Sequence, residues 1–125
     1  MIELILADTS VWVNHFRRGD ALLAERLERG EILMHPLVLG ELALGQLEDR
    51  GSLLALLADM PMAVVAEPPE VMMFIERHRL SCTGLGYVDV SLLVSVVLSE
   101  DATLWTRDRS LHAACERLGC SAPHA

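Results

Sequence analysis

The sequence predicts an α/β fold in which short buried strands alternate with helices around a central, mostly parallel sheet. An apolar run at residues 4–7 ends in Asp8 and leads into a helical pattern, and the same order recurs at residues 103–106 with Asp108. Alternation of this kind is typical of right-handed βαβ units with helices on both faces of the sheet. We therefore expect a three-layer α/β/α arrangement with four or five short strands. The predicted strands are residues 4–7, 31–34, 62–66 and 103–106, with a short fifth strand in the tail of residues 120–125.

Helices are predicted between these strands from apolar residues spaced three and four positions apart. Asp20 is a plausible N-cap, and Pro36 suits the first turn of a helix. Two consecutive helices, at residues 36–48 and 52–60, are apolar on nearly all sides, which favours burial within the domain or cover by a second molecule. The predicted helices span residues 11–16, 21–29, 36–48, 52–60, 70–80, 87–98 and 111–118.

Length and apolar patterning favour a single domain outside the membrane. A chain of 125 residues is long enough to bury one core, and we expect the domain to span residues 1–125. The longest apolar stretches, residues 53–58 and 88–98, are too short or too interrupted to cross a bilayer. The N-terminus has no positively charged region and no small-residue cleavage site, so we expect a cytoplasmic protein.

The cysteines point to reduced thiols. Cys82, Cys115 and Cys120 are odd in number and contain no C-x-x-C pair, so a disulfide framework is not expected. A zinc site of His112, Cys115, Cys120 and His124 is conceivable, but their spacing matches no zinc-ligand pattern.

The charge of the chain bears on its partners. A net charge of −8 argues against a nucleic-acid partner, because phosphate binding relies on lysine and arginine, unless several carboxylates converge on divalent cations that reverse the local field. All ten basic residues are arginines, and the chain contains no lysine.

Four acidic residues stand out by their positions. Asp8 and Asp108 follow buried strands, and Asp89 lies in the first turn of the helix at residues 87–98. Helix capping explains each of these three when it is considered alone. Glu41 has apolar neighbours three and four positions away, so we expect it to project from the apolar face of its helix. A lone carboxylate there would cost several kcal/mol, roughly, unless it paired with an arginine, lay at the edge of the apolar stripe, or bound metal.

These acids can meet in one crevice, because ligands of open parallel sheets bind outside the carboxyl ends of the strands. Four carboxylates at close quarters would repel one another and raise one another's pKa values. Hard oxygen ligands select Mg²⁺, with Mn²⁺ as a substitute. A metal-activated water attacking phosphorus is the natural chemistry of such a site.

The acidic segments resemble the four motifs of PIN-domain ribonucleases. In length and motif order the chain is most similar to the VapC toxins of bacterial VapBC toxin–antitoxin systems. The resemblance covers essentially the whole chain. The matching segments are Ala-Asp8-Thr-Ser-Val-Trp12, Leu-Gly-Glu41-Leu, Gly-Tyr-Val-Asp89-Val-Ser-Leu-Leu and Leu-Trp-Thr106-Arg-Asp108-Arg-Ser-Leu.

The resemblance implies a metal-dependent endoribonuclease that leaves a 3′-hydroxyl and a 5′-phosphate. Asp8 and Asp108 would be direct metal ligands, and Glu41 and Asp89 would complete the site or position water. The resemblance also implies a homodimer and a small VapB-like antitoxin that inhibits with a peptide. The groove that receives this antitoxin peptide would lie among the apolar helices around Glu41 and residues 53–57.

The resemblance also assigns roles to four residues beside the acids. Ser10 and Thr106 would hydrogen-bond to the metal ligands, and Arg107 and Arg109 would contact RNA phosphate or lie on a solvated face.

Other functions fit the same outline. A phosphoacceptor receiver domain needs a lysine near the phosphoryl group, which this chain lacks. A catalytically silent PIN-like binding module, a solitary RNA-processing enzyme and a DNA nuclease stay open as alternatives.

Overall fold

The central element of the fold is a parallel sheet in which the first strand lies between the other two. The computed structural model describes residues 3–122. The strands are β1 (Leu4–Ala7), β2 (Ile32–Leu33) and β3 (Ala102–Trp105), in the order β2-β1-β3. Residues Ile5 and Leu6 of β1 pair with Ile32 and Leu33 of β2, and all four residues of β1 pair with β3. The predicted α/β fold with a parallel sheet is confirmed.

The sheet has three strands where four or five were expected. The segment predicted as a strand at residues 62–66 is reduced to one parallel bridge between Met34 and Met62. Its backbone leaves the sheet because the N–H of Val64 donates to the Ser99 hydroxyl (3.1 Å) instead of to a strand. The predicted fifth strand is a single parallel bridge between Leu104 and Ser121, and residues 123–125 of that tail lie outside the described residues.

Seven helices are found in the described part of the chain. The third helix ends at Leu44, four residues before its expected end, and the chain is extended at Gly45. The Arg50 guanidinium donates to the carbonyls of Ala43 and Gly45, which supplies partners at this helix end. The helices are α1 (Thr9–Arg18), α2 (Ala21–Glu28), α3 (Pro36–Leu44), α4 (Arg50–Ala58), α5 (Pro68–Arg77), α6 (Tyr87–Leu98) and α7 (Arg109–Leu118).

The core is built around β1 and α6. Residues 90–96 of α6 are all buried, as expected for a helix that is apolar on every side. A smaller apolar cluster, formed by Val71, Leu80, Val90 and Val94, joins α5 to α6. Among residues 3–122, no helix combines the length and the apolar content needed to cross a membrane.

A buried histidine links the start of α3 to α6. The Nδ1 atom of His35 accepts the N–H of Leu37 (3.0 Å), and its Nε2 atom lies 3.0 Å from the Ser95 hydroxyl. Because Nδ1 accepts, the proton of the neutral ring belongs on Nε2, which then donates to Ser95. Burial lowers the pKa of His35. The capping bond therefore depends on the neutral form of the ring.

We predict that His35 makes stability fall as the pH falls. The unfolded chain takes up a proton at this position below about pH 6.5, whereas folded His35 resists it, so protonation favours unfolding. Urea midpoints of the native protein should drop between about pH 7.5 and about pH 5.5, and the drop should be smaller in His35→Asn, whose amide oxygen can still cap α3. Parallel pH profiles for the two proteins would contradict this role.

Candidate active site

Asp8 lies directly after β1 and is only 5% exposed. Its Oδ1 atom accepts from the Ser10 hydroxyl (2.5 Å) and from the N–H of Val11 (3.2 Å), and its Oδ2 atom accepts from the Thr106 hydroxyl. Burial raises the pKa of Asp8, and the three hydrogen bonds oppose that rise. Asp8 therefore caps α1 and also lies at the carboxyl edge of the sheet.

Two hydroxyl groups connect Asp8 to the loop that carries Asp108. Ser10 Oγ accepts the N–H of Arg107 (2.9 Å), and Thr106 Oγ1 accepts the N–H of Asp108 (3.0 Å). Each hydroxyl also donates to Asp8. We call this set of four hydrogen bonds the hydroxyl bridge. It fixes the start of α7 relative to the end of β1.

Asp108 and Asp89 occupy similar positions at the N-termini of two helices. Asp108 is exposed, and its Oδ1 atom accepts the N–H of Leu111 (2.9 Å) at the start of α7. Asp89 is partly buried in the first turn of α6, where its Oδ2 atom accepts the N–H of Gly86 (3.2 Å). Capping thus operates at both acids, and it does not exclude a second role.

The position of Glu41 differs from the one expected from the sequence. We expected it to project from the apolar face of its helix, but its side chain is exposed to solvent. The buried face of α3 is formed by Val38 and Leu42, whereas the leucines that suggested burial, Leu37 and Leu44, are themselves 37% and 90% exposed. Glu41 therefore does not carry the desolvation cost that its apolar neighbours in the sequence suggested, and that expectation is wrong.

Glu41 nevertheless reaches the first helix. The Thr9 hydroxyl donates to its Oε1 atom at 2.5 Å, joining α1 to α3 beside Asp8. Thr9 was not among the residues singled out from the sequence. A hydroxyl next to Asp8 was the available signal, but nothing in the sequence indicated that it would contact an acid 32 positions away.

The four acids interact electrostatically through Asp89. Burial is the main cause that raises the pKa of Asp89, and the charges of Asp108 and Glu41 raise it further. The charge of Asp89 in turn contributes to the raised pKa of Asp8. Asp89 therefore lies within electrostatic range of each of the other three sequence-predicted acids.

The four acids offer the oxygen ligands that a hard divalent cation prefers, but their side chains are not arranged to hold one in this structure. Within residues 3–122, no three histidine, cysteine, aspartate or glutamate side chains are arranged to hold a metal ion, and each of the four acids accepts from a nearby protein donor. The ligands are carboxylate oxygens whose mutual repulsion a divalent cation would reduce. Asp8, Asp89, Asp108 and Glu41 would hold a cation once their carboxylates turn from the protein donors that they contact here.

The residues considered for a zinc site are engaged elsewhere. His112 contacts Glu116 of the same helix (2.6 Å). Cys115 and Cys120 are buried, and a hydrogen bond between their thiols, followed by burial, raises the pKa of Cys115. The backbone N–H of Cys120 closes the end of α7 on the carbonyl of Cys115 (2.9 Å). His124 lies outside the described residues.

A cavity of about 690 Å³ opens beside Glu41, between α1, α3 and the segment that leads into α4. Its lining includes Val13 and Phe16 of α1, Glu41 and Leu42 of α3, and Leu53 of α4. This α1–α3 cavity lies among the helices at which the resemblance implied a groove for a partner. Since Glu41 lines it, the cavity borders the acidic cluster.

A family model described as the PIN domain matches residues 5–117. The chain belongs to the PIN-domain family. It is 48% identical over 116 residues to "Ribonuclease VapC32" of two Mycobacterium tuberculosis strains, a match that covers 93% of this chain and 94% of the relative. The crystal structure of PAE2754 from Pyrobaculum aerophilum has a similar fold, with a TM-score of 0.57 and 22% identity over 90% of this chain and 86% of that one.

We predict that the hydroxyl bridge stabilises this PIN domain. Thr106→Val removes a donor from buried Asp8 and an acceptor from the N–H of Asp108, and should cost about 1–3 kcal/mol of unfolding free energy in urea titrations.

The matched control is Thr103→Val on β3. The hydroxyl of Thr103 is buried and has no hydrogen-bond partner in the described part of the chain, so its removal should be neutral or stabilising. Equal losses in the two variants would show that the bridge contributes nothing specific.

Proposed function

We propose that this protein is a Mg²⁺-dependent endoribonuclease, with Mn²⁺ as a substitute, and the toxin of a VapBC-type toxin–antitoxin pair. The observation that carries the proposal is geometric: the hydroxyl bridge joins Asp8 at the carboxyl edge of the sheet to the loop of Asp108, and Thr9 holds Glu41 beside Asp8. Asp89 interacts electrostatically with these three acids. The similarity to a relative named as a ribonuclease supports the choice of RNA as substrate.

In this proposal the four acids hold the cation, with Asp8 and Asp108 as direct ligands. A divalent cation there supplies a bound water of lowered pKa and offsets negative charge on the phosphodiester. The hydroxyl bridge keeps Asp8 oriented, and Thr9 orients Glu41. Asp89, which interacts electrostatically with the other three acids, completes the site or positions the attacking water. Cleavage would leave a 3′-hydroxyl and a 5′-phosphate.

The partners follow from the same proposal. A VapB-like antitoxin would occupy the α1–α3 cavity with an apolar peptide, because Leu44 (90% exposed) and Leu56 (69% exposed) lie on the helices around it. We further propose a cytoplasmic homodimer in which residues 1–125 form one nuclease domain. Arg107 and Arg109 are exposed beside Asp108 and would contact RNA phosphate.

A DNA nuclease is the second candidate, because the acids and a cation act on phosphodiesters of either sugar. Cleavage of DNA in preference to RNA of the same sequence would favour it. A silent binding module is the third candidate, and the absence of any nuclease activity would favour that one.

We predict that Asp8→Asn abolishes RNA cleavage while the domain stays folded, because it removes the charge of the most buried acid. Cleavage of labelled RNA with Mg²⁺ or Mn²⁺ is the measurement, and circular dichroism checks the fold. The matched control is Asp101→Asn, at the opposite end of β3 from Thr106, where a positive φ of 57° suits asparagine. Undiminished cleavage by Asp8→Asn would refute the site.

We also predict that Mg²⁺ or Mn²⁺ raises the melting temperature of the native protein, because a cation offsets repulsion among the four acids. The rise should vanish in Asp108→Asn, and a chelator should reverse it and stop cleavage. An equal rise in the native protein and in Asp108→Asn would exclude this cluster as the cation site.

A further inference from the structure

A second groove, of about 440 Å³, lies between α7 and the loop that precedes α6. Its lining combines apolar and polar groups: Leu80, Ala113 and Ala114 are apolar, and Thr83, Arg109 and Arg117 are polar. We call it the α7 groove. It is separate from the α1–α3 cavity, with which it shares no lining residue.

The α7 groove adjoins the acidic cluster on two sides. Its helix begins at Arg109, the residue after Asp108, and its loop leads to Gly86, which donates to Asp89. The loop packs closely against the start of α7, because a Cβ at Gly84 would lie 3.4 Å from the Ser110 hydroxyl. A ligand bound at the acids would therefore meet the groove without crossing another element.

Two arginines, Arg109 and Arg117, line this groove, and two more flank the residue that Arg117 contacts. The Arg117 guanidinium donates to the carbonyl of His78 (3.0 Å), between Arg77 and Arg79 in the sequence. Within residues 3–122, neither these three arginines nor Arg109 forms an ion pair with a carboxylate. In a chain of net charge −8, such a concentration of unneutralised arginine favours an anionic ligand.

We propose that the α7 groove binds the single-stranded RNA that extends from the cleaved phosphodiester, an inference that rests on the proposed ribonuclease function. Arg109 and Arg117 would contact backbone phosphates. The exposed apolar surface at Ala113 would receive the face of an unstacked base, and guanidinium planes can stack on bases as well. The groove thus extends the contact with RNA beyond the phosphodiester that is cleaved.

The test adds a negative charge to the groove without removing a bond. Ala113 is exposed on a helix, so Ala113→Glu should fold, and Ala24→Glu on α2 is the matched control. Binding of a fluorescent single-stranded RNA is measured by anisotropy, with both changes made in the Asp8→Asn background so that binding is read without cleavage. We expect Ala113→Glu to weaken binding several-fold and Ala24→Glu to leave it unchanged.

Arg117→Gln provides an independent measurement, with Arg18→Gln, in the last turn of α1, as its control. Loss of one phosphate contact should make the dependence of log affinity on log salt shallower by about 0.7 for a single strand. Arg18→Gln should keep the original slope.

Cleavage assays distinguish failure of the groove proposal from failure of the proposed ribonuclease function. If the native protein cleaves neither long RNA nor a dinucleotide with Mg²⁺ or Mn²⁺, the ribonuclease function is wrong. If it cleaves, Ala113→Glu should lose more activity on long RNA than on the dinucleotide. The groove proposal is overturned if Ala113→Glu and Ala24→Glu bind RNA equally, or if Ala113→Glu weakens binding of an acidic peptide but not of RNA.

Discussion

Burial of the Asp8 carboxylate at the end of the central strand sets the requirement that the rest of the site meets. A carboxylate that is 5% exposed loses most of its hydration and needs hydrogen-bond donors in return. Val11 supplies one from α1, and Ser10 and Thr106 supply two more. The same two hydroxyls also accept N–H groups of the β3–α7 loop. The hydroxyl bridge therefore stabilises buried Asp8 and fixes the position of Asp108 at the same time.

Strand pairing brings the groups of the hydroxyl bridge together. Ala7 pairs with Trp105 in parallel register, and the N–H of Asp8 donates to the carbonyl of Trp105 (3.0 Å). The residues that follow each strand, Asp8 and Thr106, are therefore brought side by side although they are 98 positions apart. A shift of one residue in this register would turn one of the two side chains to the opposite face of the sheet.

The sequence was informative where local pattern and topology agree. An apolar run followed by an acid correctly placed Asp8 and Asp108 at the edge of the sheet. The prediction that Glu41 lies on a buried helix face was wrong, because leucines such as Leu44 are apolar yet exposed. Periodicity cannot distinguish an apolar face that packs in the core from one that stays uncovered. The strand predicted at residues 62–66 was also wrong, because the Ser99 hydroxyl accepts the N–H of Val64 there. That contact joins residues 35 positions apart, and no local pattern encodes it.

The exposed position of Glu41 couples the acidic cluster to the α1–α3 cavity. Glu41 lines the cavity, and its charge also raises the pKa of Asp89. An apolar occupant of the cavity would also remove water from Glu41, which increases the cost of keeping a carboxylate there. A peptide bound at this cavity would therefore act on the acidic cluster through Glu41 without contacting Asp8.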